Sequence, residues 1–426
     1  MDNHQLEYLD FELLVGFRRG QEYPVNVIRS PAGEVAHDVF MQFPFAALDL
    51  ERFIDDLPFI LIRSSRLPWQ QVMSDEQRVR DFGRRLFHTL FAGKVGNLYW
   101  ASQALAEQQG KGLRLKLRIR PPELVALPWE FLFDTNRDEY VCLSRNTPIV
   151  RYLEVERPIR SLEVEPPLRV LGMVANPKRM PQIDGTEERN YLTEALRDLC
   201  DRNLVELIWL EGQTWRDLQA AMRAGPWHIF HFVGHGSFRP GADEGAIILS
   251  DEAGQPYPLP ASDFARLFVD HRSLRVVILN ACQGARSSPR NAFSSTAATL
   301  VRHGLPAVLA MQYPLSDSAA VHFGRELYQA LTGWLPIDAA VGEARKAVRM
   351  AGGESLEWGT PTLYMRAPNG MLFSPARKVE GLAARGLASR NSPWRRALTG
   401  REVEKAHVHT ARRSCTPDGR PLPYLV

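Results

Sequence analysis

Two segments of this 426-residue chain end in side chains that can do covalent chemistry. "ILNACQGARSS", residues 278–288, is an apolar run that turns at Asn280 and presents Cys282 where an expected strand ends. "WHIFHFVGHGSF", residues 227–238, repeats the plan, an apolar run followed by His235 between Gly234 and Gly236. A cysteine attacks as its thiolate, and a neighbouring imidazole generates or stabilises that ion. The same imidazole can hand a proton to a leaving amine. Gly234 and Gly236 let the backbone approach a bound peptide without a Cβ in the way, and Gly284 keeps the cysteine loop tight. The backbone N–H groups of Gly236 and Cys282 are candidates for an oxyanion hole, worth roughly 3–4 kcal/mol per donor. A cysteine alone is ordinarily a buried packing residue. The histidine on the preceding strand end, with glycines around both, points to catalysis instead.

The other chemistry-bearing residues read as structural. His228 and His231 precede His235, but in a strand they point to opposite faces, so the three cannot share one metal ion. His231 is expected to pack or orient the site. Cys142 and Cys200 are expected to pack, and Cys415 to be a free thiol in the tail. The four cysteines form no CxxC pair, so neither a zinc site nor a dithiol redox motif is expected. GxSxG, Walker A and GxGxxG motifs are absent, which removes the serine-hydrolase elbow and the common nucleotide loops.

The elements that must position the two residues follow from hydrophobic period. From residue 168, "LRVLGMVA", "LVELIWL", "HIFHFVG", "LRVVILN" and "PAVLAMQ" are short, nearly continuous apolar runs. Helical stretches near 187–199, 215–223, 261–270 and 293–303 alternate with them, and two more lie near 317–332 and 337–350. Strands buried on both faces with helices between them predict a doubly wound, mostly parallel α/β sheet. Active residues of such sheets sit at the carboxyl ends of strands. His235 and Cys282 end consecutive strands, with 261–270 as the crossover helix. Upstream, residues 9–45 read as a small β-meander, followed by a short helix near 48–57. "SDEQRVRDFGRRLFHTLF" reads as an amphipathic helix with a capping box at Ser74 and Gln77. "LRLKLRIR", residues 113–120, alternates as a half-buried strand with its basic residues on the other face. This gives a β-rich extension over 1–60, a main domain over 75–375 and a basic, disordered tail over 376–426.

Composition bounds the partners. The net charge is +3, too small to imply nucleic acid or an anionic membrane as partner. From Ala376 to Val426 there are 11 Lys and Arg against 4 Asp and Glu, a surplus of 7, so residues 1–375 carry −4. No apolar run reaches membrane-spanning length, and "MDNHQLEYLD" is not a signal peptide. A cytoplasmic location with reduced thiols is expected.

"NACQG", residues 280–284, matches four of the five positions of the caspase pattern Q-A-C-[RQG]-G, and His235 lies 47 residues upstream of Cys282. Together with "LPWEFLFD", "TPIVRYL", "LRVLGMVANP", "HIFHFVGHG", "GLPAVLAMQYPLSDSAA" and "EWGTPTLYMRAP", this resembles the CHAT domain proteins, a bacterial branch of the caspase–separase clan of cysteine peptidases. The resemblance runs from about residue 85 to 373. It implies a caspase-like α/β fold, with Cys282 as nucleophile, His235 as general base and acid, and Gly236 as an oxyanion donor. It places Asn280 where caspases have a glutamine lining the pocket for the residue before the cleaved bond, the P1 residue. Asp317 resembles an acidic position that shapes this pocket in separase-like members and would favour a basic P1 residue. It is equally a helix N-terminal residue favoured by the dipole. The implied activity is endopeptidase cleavage of a protein substrate without metal or organic cofactor, in regulated proteolysis of bacterial defence or cell death, switched on by a protein partner or by cleavage. A catalytically silent caspase-like scaffold that binds protein partners is the alternative.

Overall fold

Phe11, Leu13 and Val15 alternate into the core, as do Tyr23, Val25 and Val27, so the chain opens as an antiparallel meander of β1 (Tyr8–Val15), β2 (Glu22–Arg29) and β3 (Val39–Gln42). The computed structural model describes residues 6–33, 36–37, 39–65, 69–153, 159–238, 244–280, 292–352, 355–376 and 408–409. Helices α1 (Ala47–Ser64), α2 (Trp69–Leu90) and α3 (Gly93–Gln108) follow. They lead to β4 (Gly112–Ile119), which pairs parallel with β1. A short α4 (Pro122–Val125), the hairpin β5 (Phe133–Asp134) and β6 (Glu139–Tyr140), then β7 (Ile149–Tyr152) and β8 (Leu162–Val164) complete this half.

The alternating half comprises β9 (Leu168–Val174), α5 (Gly185–Asp201), β10 (Val205–Leu210), α6 (Trp215–Arg223) and β11 (Ile229–Val233). An antiparallel trio, β12 (His235–Phe238), β13 (Gly245–Ser250) and β14 (Pro256–Pro260), precedes α7 (Ala261–Arg266). Then come β15 (Val276–Asn280), α8 (Ala292–Arg302), β16 (Ala307–Met311), α9 (Asp317–Thr332), α10 (Ile337–Ala351), β17 (Pro361–Met365) and β18 (Phe373–Pro375). A two-residue β19 (Val408–His409) lies on the edge of β10.

The main sheet has twelve strands in the order β19-β10-β9-β11-β15-β16-β17-β7-β4-β1-β2-β3. Strands β10, β9, β11, β15 and β16 run parallel, direction reverses at the antiparallel pair β16–β17, and β17, β7, β4 and β1 form a second parallel block. Successive residues of β11 face opposite layers. Ile229 and Val233 join the core that includes α5, α9 and α10, while Phe230 and Phe232 join the core that includes α6, α7 and α8. The fold is therefore α/β with a large, mostly parallel sheet flanked by helices and antiparallel strands at its N-terminal edge.

Four expectations change. Helix α2 begins at Trp69, so Ser74 lies inside it and is not its N-cap; no breaker separates residues 69–73 from the amphipathic run, and the helix extends through them. The alternation in 113–120 marks a strand buried on both faces, with Arg114 and Lys116 each 2% exposed. Register explains it, because Asp10 and Glu12 of β1 stand directly beside Arg114 and Lys116, and paired charges can be buried. The connection from β11 to β15 holds the three-stranded sheet as well as the shorter helix α7. The long helix α3 was not anticipated. The tail expectation falls mostly on 377–407 and 410–426, outside the described residues.

Candidate active site

Strands β11 and β15 pair in parallel, with Val233 opposite Asn280. The Gly234 N–H donates to the Asn280 carbonyl at 3.2 Å. One residue later His235 opens β12 opposite Ile248. Its side chain is buried, and Nε2 lies 2.9 Å from the Pro181 carbonyl. A carbonyl oxygen only accepts, so Nε2 carries the hydrogen and Nδ1 is the bare, basic nitrogen. Nδ1 is buried and has no partner among the described residues. Burial holds the imidazole below its ordinary pKa, and the Pro181 contact opposes this in part. The ring is therefore neutral at pH 7, with one lone pair to spend.

Pro181 is held by the loop that follows β9. Asn176 closes that loop on both sides: its Nδ2 donates to the Ile183 carbonyl at 2.6 Å, and its Oδ1 accepts from the Ile183 N–H at 3.1 Å. Gln213 accepts from the Asn176 N–H at 2.8 Å, and Lys178 donates its N–H to the Gly254 carbonyl. Asn176, Pro181 and Gln213 were not anticipated as site residues. An asparagine two residues after a buried strand and next to a proline was the available signal, since such residues build turns.

Asn280 is 8% exposed, and its side chain makes no hydrogen bond among the described residues. It lines a cavity of about 30 Å³ with His231, Tyr191, Phe323 and Tyr328, room for about one water molecule. His231 Nδ1 lies 3.1 Å from the Tyr328 hydroxyl, and burial pulls its pKa down to about 4. His228 is engaged elsewhere, accepting the Arg169 N–H on Nδ1. Asp317, the first residue of α9, lines a different cavity of about 470 Å³ beside Ser316, His322 and Glu357. Tyr191 connects the two, because its hydroxyl lies 2.5 Å from Glu187 Oε1 and 3.2 Å from Asp317 Oδ2. With one hydrogen it donates to one of them at a time.

The structure thus brings His235 and Asn280 to one strand edge and sets Asp317 apart from Asn280. Gly236 lies in β12 opposite Ile247. Cys282 falls within residues 281–291, outside the described residues. The glycines around His235 have a packing role. A Cβ on Gly234 would stand 2.5 Å from the Phe232 ring, and one on Gly236 would stand 3.0 Å from Ala292 Cβ. Their bare faces are filled by this chain's own side chains. Among the described residues, no helix is long and apolar enough to cross a membrane.

No curated protein matches the chain in sequence. Solved structures similar to it include the Saccharomyces cerevisiae separase–securin complex, at 10% identity and TM-score 0.47, covering 86% of this chain and 30% of that one. The Porphyromonas gingivalis RgpB pro- and mature-domain complex matches at 12% identity and TM-score 0.37, covering 76% and 78%. The Drosophila initiator caspase Dronc matches at 11% identity and TM-score 0.30, covering 54% and 99%. The chain spans less than a third of the separase chain. The CHAT domain model matches residues 80–393, most of the chain and all of the alternating half, and the protein belongs to the CHAT domain family.

Proposed function

We propose that the protein is a cysteine endopeptidase in which Cys282 attacks the scissile carbonyl and Nδ1 of His235 moves the proton. The observation that carries this reading is the orientation of His235. Its Nε2 hydrogen is spent on Pro181, and its basic nitrogen is left buried without a partner among the described residues. Chain connectivity supplies the sulfur. Cys282 follows by two residues Asn280, whose carbonyl is bonded to the residue before His235. Two residues span at most about 7 Å, and neighbouring strands lie about 4.8 Å apart.

The thiol gives its proton to Nδ1, and the thiolate forms a bond to the carbonyl carbon. The oxyanion is stabilised by the N–H groups of Gly236 and Cys282. The imidazolium protonates the leaving amine as the C–N bond breaks, and water then releases the acyl group, returning the proton through Nδ1. Asn280 borders the P1 pocket, and Asp317, in the neighbouring cavity and reached through Tyr191, supplies the negative charge that favours Lys or Arg. The setting is regulated proteolysis in bacterial defence or cell death, with activation by a protein partner.

A peptide-based, cysteine-directed probe tests the dyad. Labelling should vanish in Cys282→Ala, persist in Cys200→Ala and slow by about 10²–10⁴-fold in His235→Ala. Labelling indifferent to position 282 leaves the silent-scaffold reading. A peptide library tests the pocket: a preference for Lys or Arg should disappear in Asp317→Ala, and an apolar preference discards that assignment.

A further inference from the structure

The edge of the sheet opposite His235 holds a second cavity, of about 330 Å³, where β15 and β16 begin. Arg160, Arg272, Arg275, His271 and His303 line it above an apolar floor that includes Phe268, and no carboxylate of the described residues does. Several partly or fully buried arginines elsewhere in the molecule have carboxylate partners. Arg114, Arg151, Arg169 and Arg189 all sit on carboxylates. Among the described residues, Arg160, Arg272 and Arg275 have neither an ion pair nor a side-chain hydrogen bond. Nε of Arg275 is buried with no partner, and burial lowers the pKa of this guanidinium with nothing opposing it.

Basic residues often collect at helix carboxyl ends, where they answer the dipole. That accounts for His303, whose Nδ1 donates to the Thr299 carbonyl at 2.9 Å in the last turn of α8. It does not account for Arg160 or Arg275, which belong to no helix and meet here from separate stretches of chain. A half-buried cation without a counter-charge costs stability; no described residue supplies one to Arg275, and a bound anion would.

We propose that this cavity binds a phosphate-bearing small molecule of about mononucleotide size. A terminal phosphoryl group brings three oxygens and nearly two charges, enough for several guanidinium forks, whereas one carboxylate has two oxygens. Guanidinium forks match phosphate in bidentate geometry. The volume lies at the small end of ligand pockets, and Phe268 and its neighbours offer an apolar surface for the rest of the molecule. The site is independent of the proposed peptidase centre on the other edge.

Calorimetric titration of the full chain with pyrophosphate and with AMP tests this. Saturable binding is expected, weakening with added salt and falling about 10-fold or more in Arg275→Gln and in Arg272→Gln, with part retained in Arg275→Lys. Thermal unfolding controls for folding. Without ligand the Arg275→Gln midpoint should equal or exceed that of the unmodified chain, and AMP should raise only the latter. Three results overturn the proposal: no binding of either probe at millimolar concentration, binding unchanged by both glutamine variants, or displacement of AMP by oligoglutamate at lower concentration than by pyrophosphate. A ligand-free midpoint lowered in Arg275→Gln overturns it too, because the cation would then have a partner within the chain.

Discussion

In the block β17–β7–β4–β1 the buried charges come in pairs. Arg151 grips Glu130 with two nitrogens, at 3.2 and 2.8 Å, and adds the Leu127 carbonyl at 2.9 Å. Arg114 meets Asp338 and Asp10, and Lys116 meets Asp10 and the Pro368 carbonyl. In the block β9–β11–β15–β16 the strands are apolar apart from Arg169 and His231, and the candidate site groups stand at their carboxyl ends. There the His235 Nδ1 and the Asn280 amide lack partners among the described residues. Satisfied buried polar groups hold a fold together, and unsatisfied ones are costly unless something outside the chain completes them. Single unpartnered atoms occur in the first block too, Arg151 Nη1 and Asp338 Oδ1 among them, but each belongs to a group that has other partners; among the described residues, His235 Nδ1 and the Asn280 amide stand unpartnered at neighbouring strand ends.

The largest effect expected from breaking this contrast lies in the scaffold half. Glu130→Ala leaves Arg151 buried and unpaired and should cost about 3–5 kcal/mol in denaturant unfolding. The double change of Glu130 and Arg151 to Met removes both charges and should return most of that loss. If the single and double variants lose equally, the pair is not what Glu130 provides.

A smaller effect belongs to the site half and depends on pH. His231 has a folded pKa of about 4, against about 6.5 unfolded. Its folded value is depressed, so the unfolded chain binds the proton first as pH falls. The neutral ring's contribution is whole above pH ~6.5 and is lost toward pH ~4, about 3 kcal/mol in all. His228, also drawn down to about 4 by its burial and then by Arg169, acts in the same direction. Stability measured from pH 7 to 4 should fall more shallowly in His231→Gln than in the unmodified chain. Equal slopes would remove His231 from the account.

How much of this could be read from sequence follows the same division. The alternating half was legible because strands covered on both faces show as continuous apolar runs, and six helices fell close to their expected positions. His235 was legible through its place after "HIFHFVG" and its glycines, whose packing against Phe232 and Ala292 was not. The scaffold half was less legible. "LRLKLRIR" gave a strand but hid its burial, because the charges that neutralise it lie about a hundred residues upstream, in "YLDFELLV". Pro181 was illegible, because it acts through a backbone carbonyl that any residue carries. The separation of Asp317 from Asn280 was set by where α9 starts, which short-range pattern does not fix.

The smallest expected change sharpens the comparison most. Asn280 and Glu130 are both buried polar residues, 8% and 1% exposed, but only Glu130 has partners among the described residues. Asn280→Leu keeps the branching of the side chain, places its larger methyl groups beside a small cavity, and removes an amide that is unpaired there. It should therefore leave stability unchanged or raise it by about 1 kcal/mol, while Glu130→Leu should lose several times that amount. Cleavage should respond the other way. Without its amide the Asn280→Leu chain should process peptides more slowly although it is folded at least as well. Denaturant midpoints and peptide turnover on the same two variants decide the matter. If Asn280→Leu is destabilised as Glu130→Leu is, the amide serves packing, and the distinction between the two halves fails at the residue nearest the proposed nucleophile.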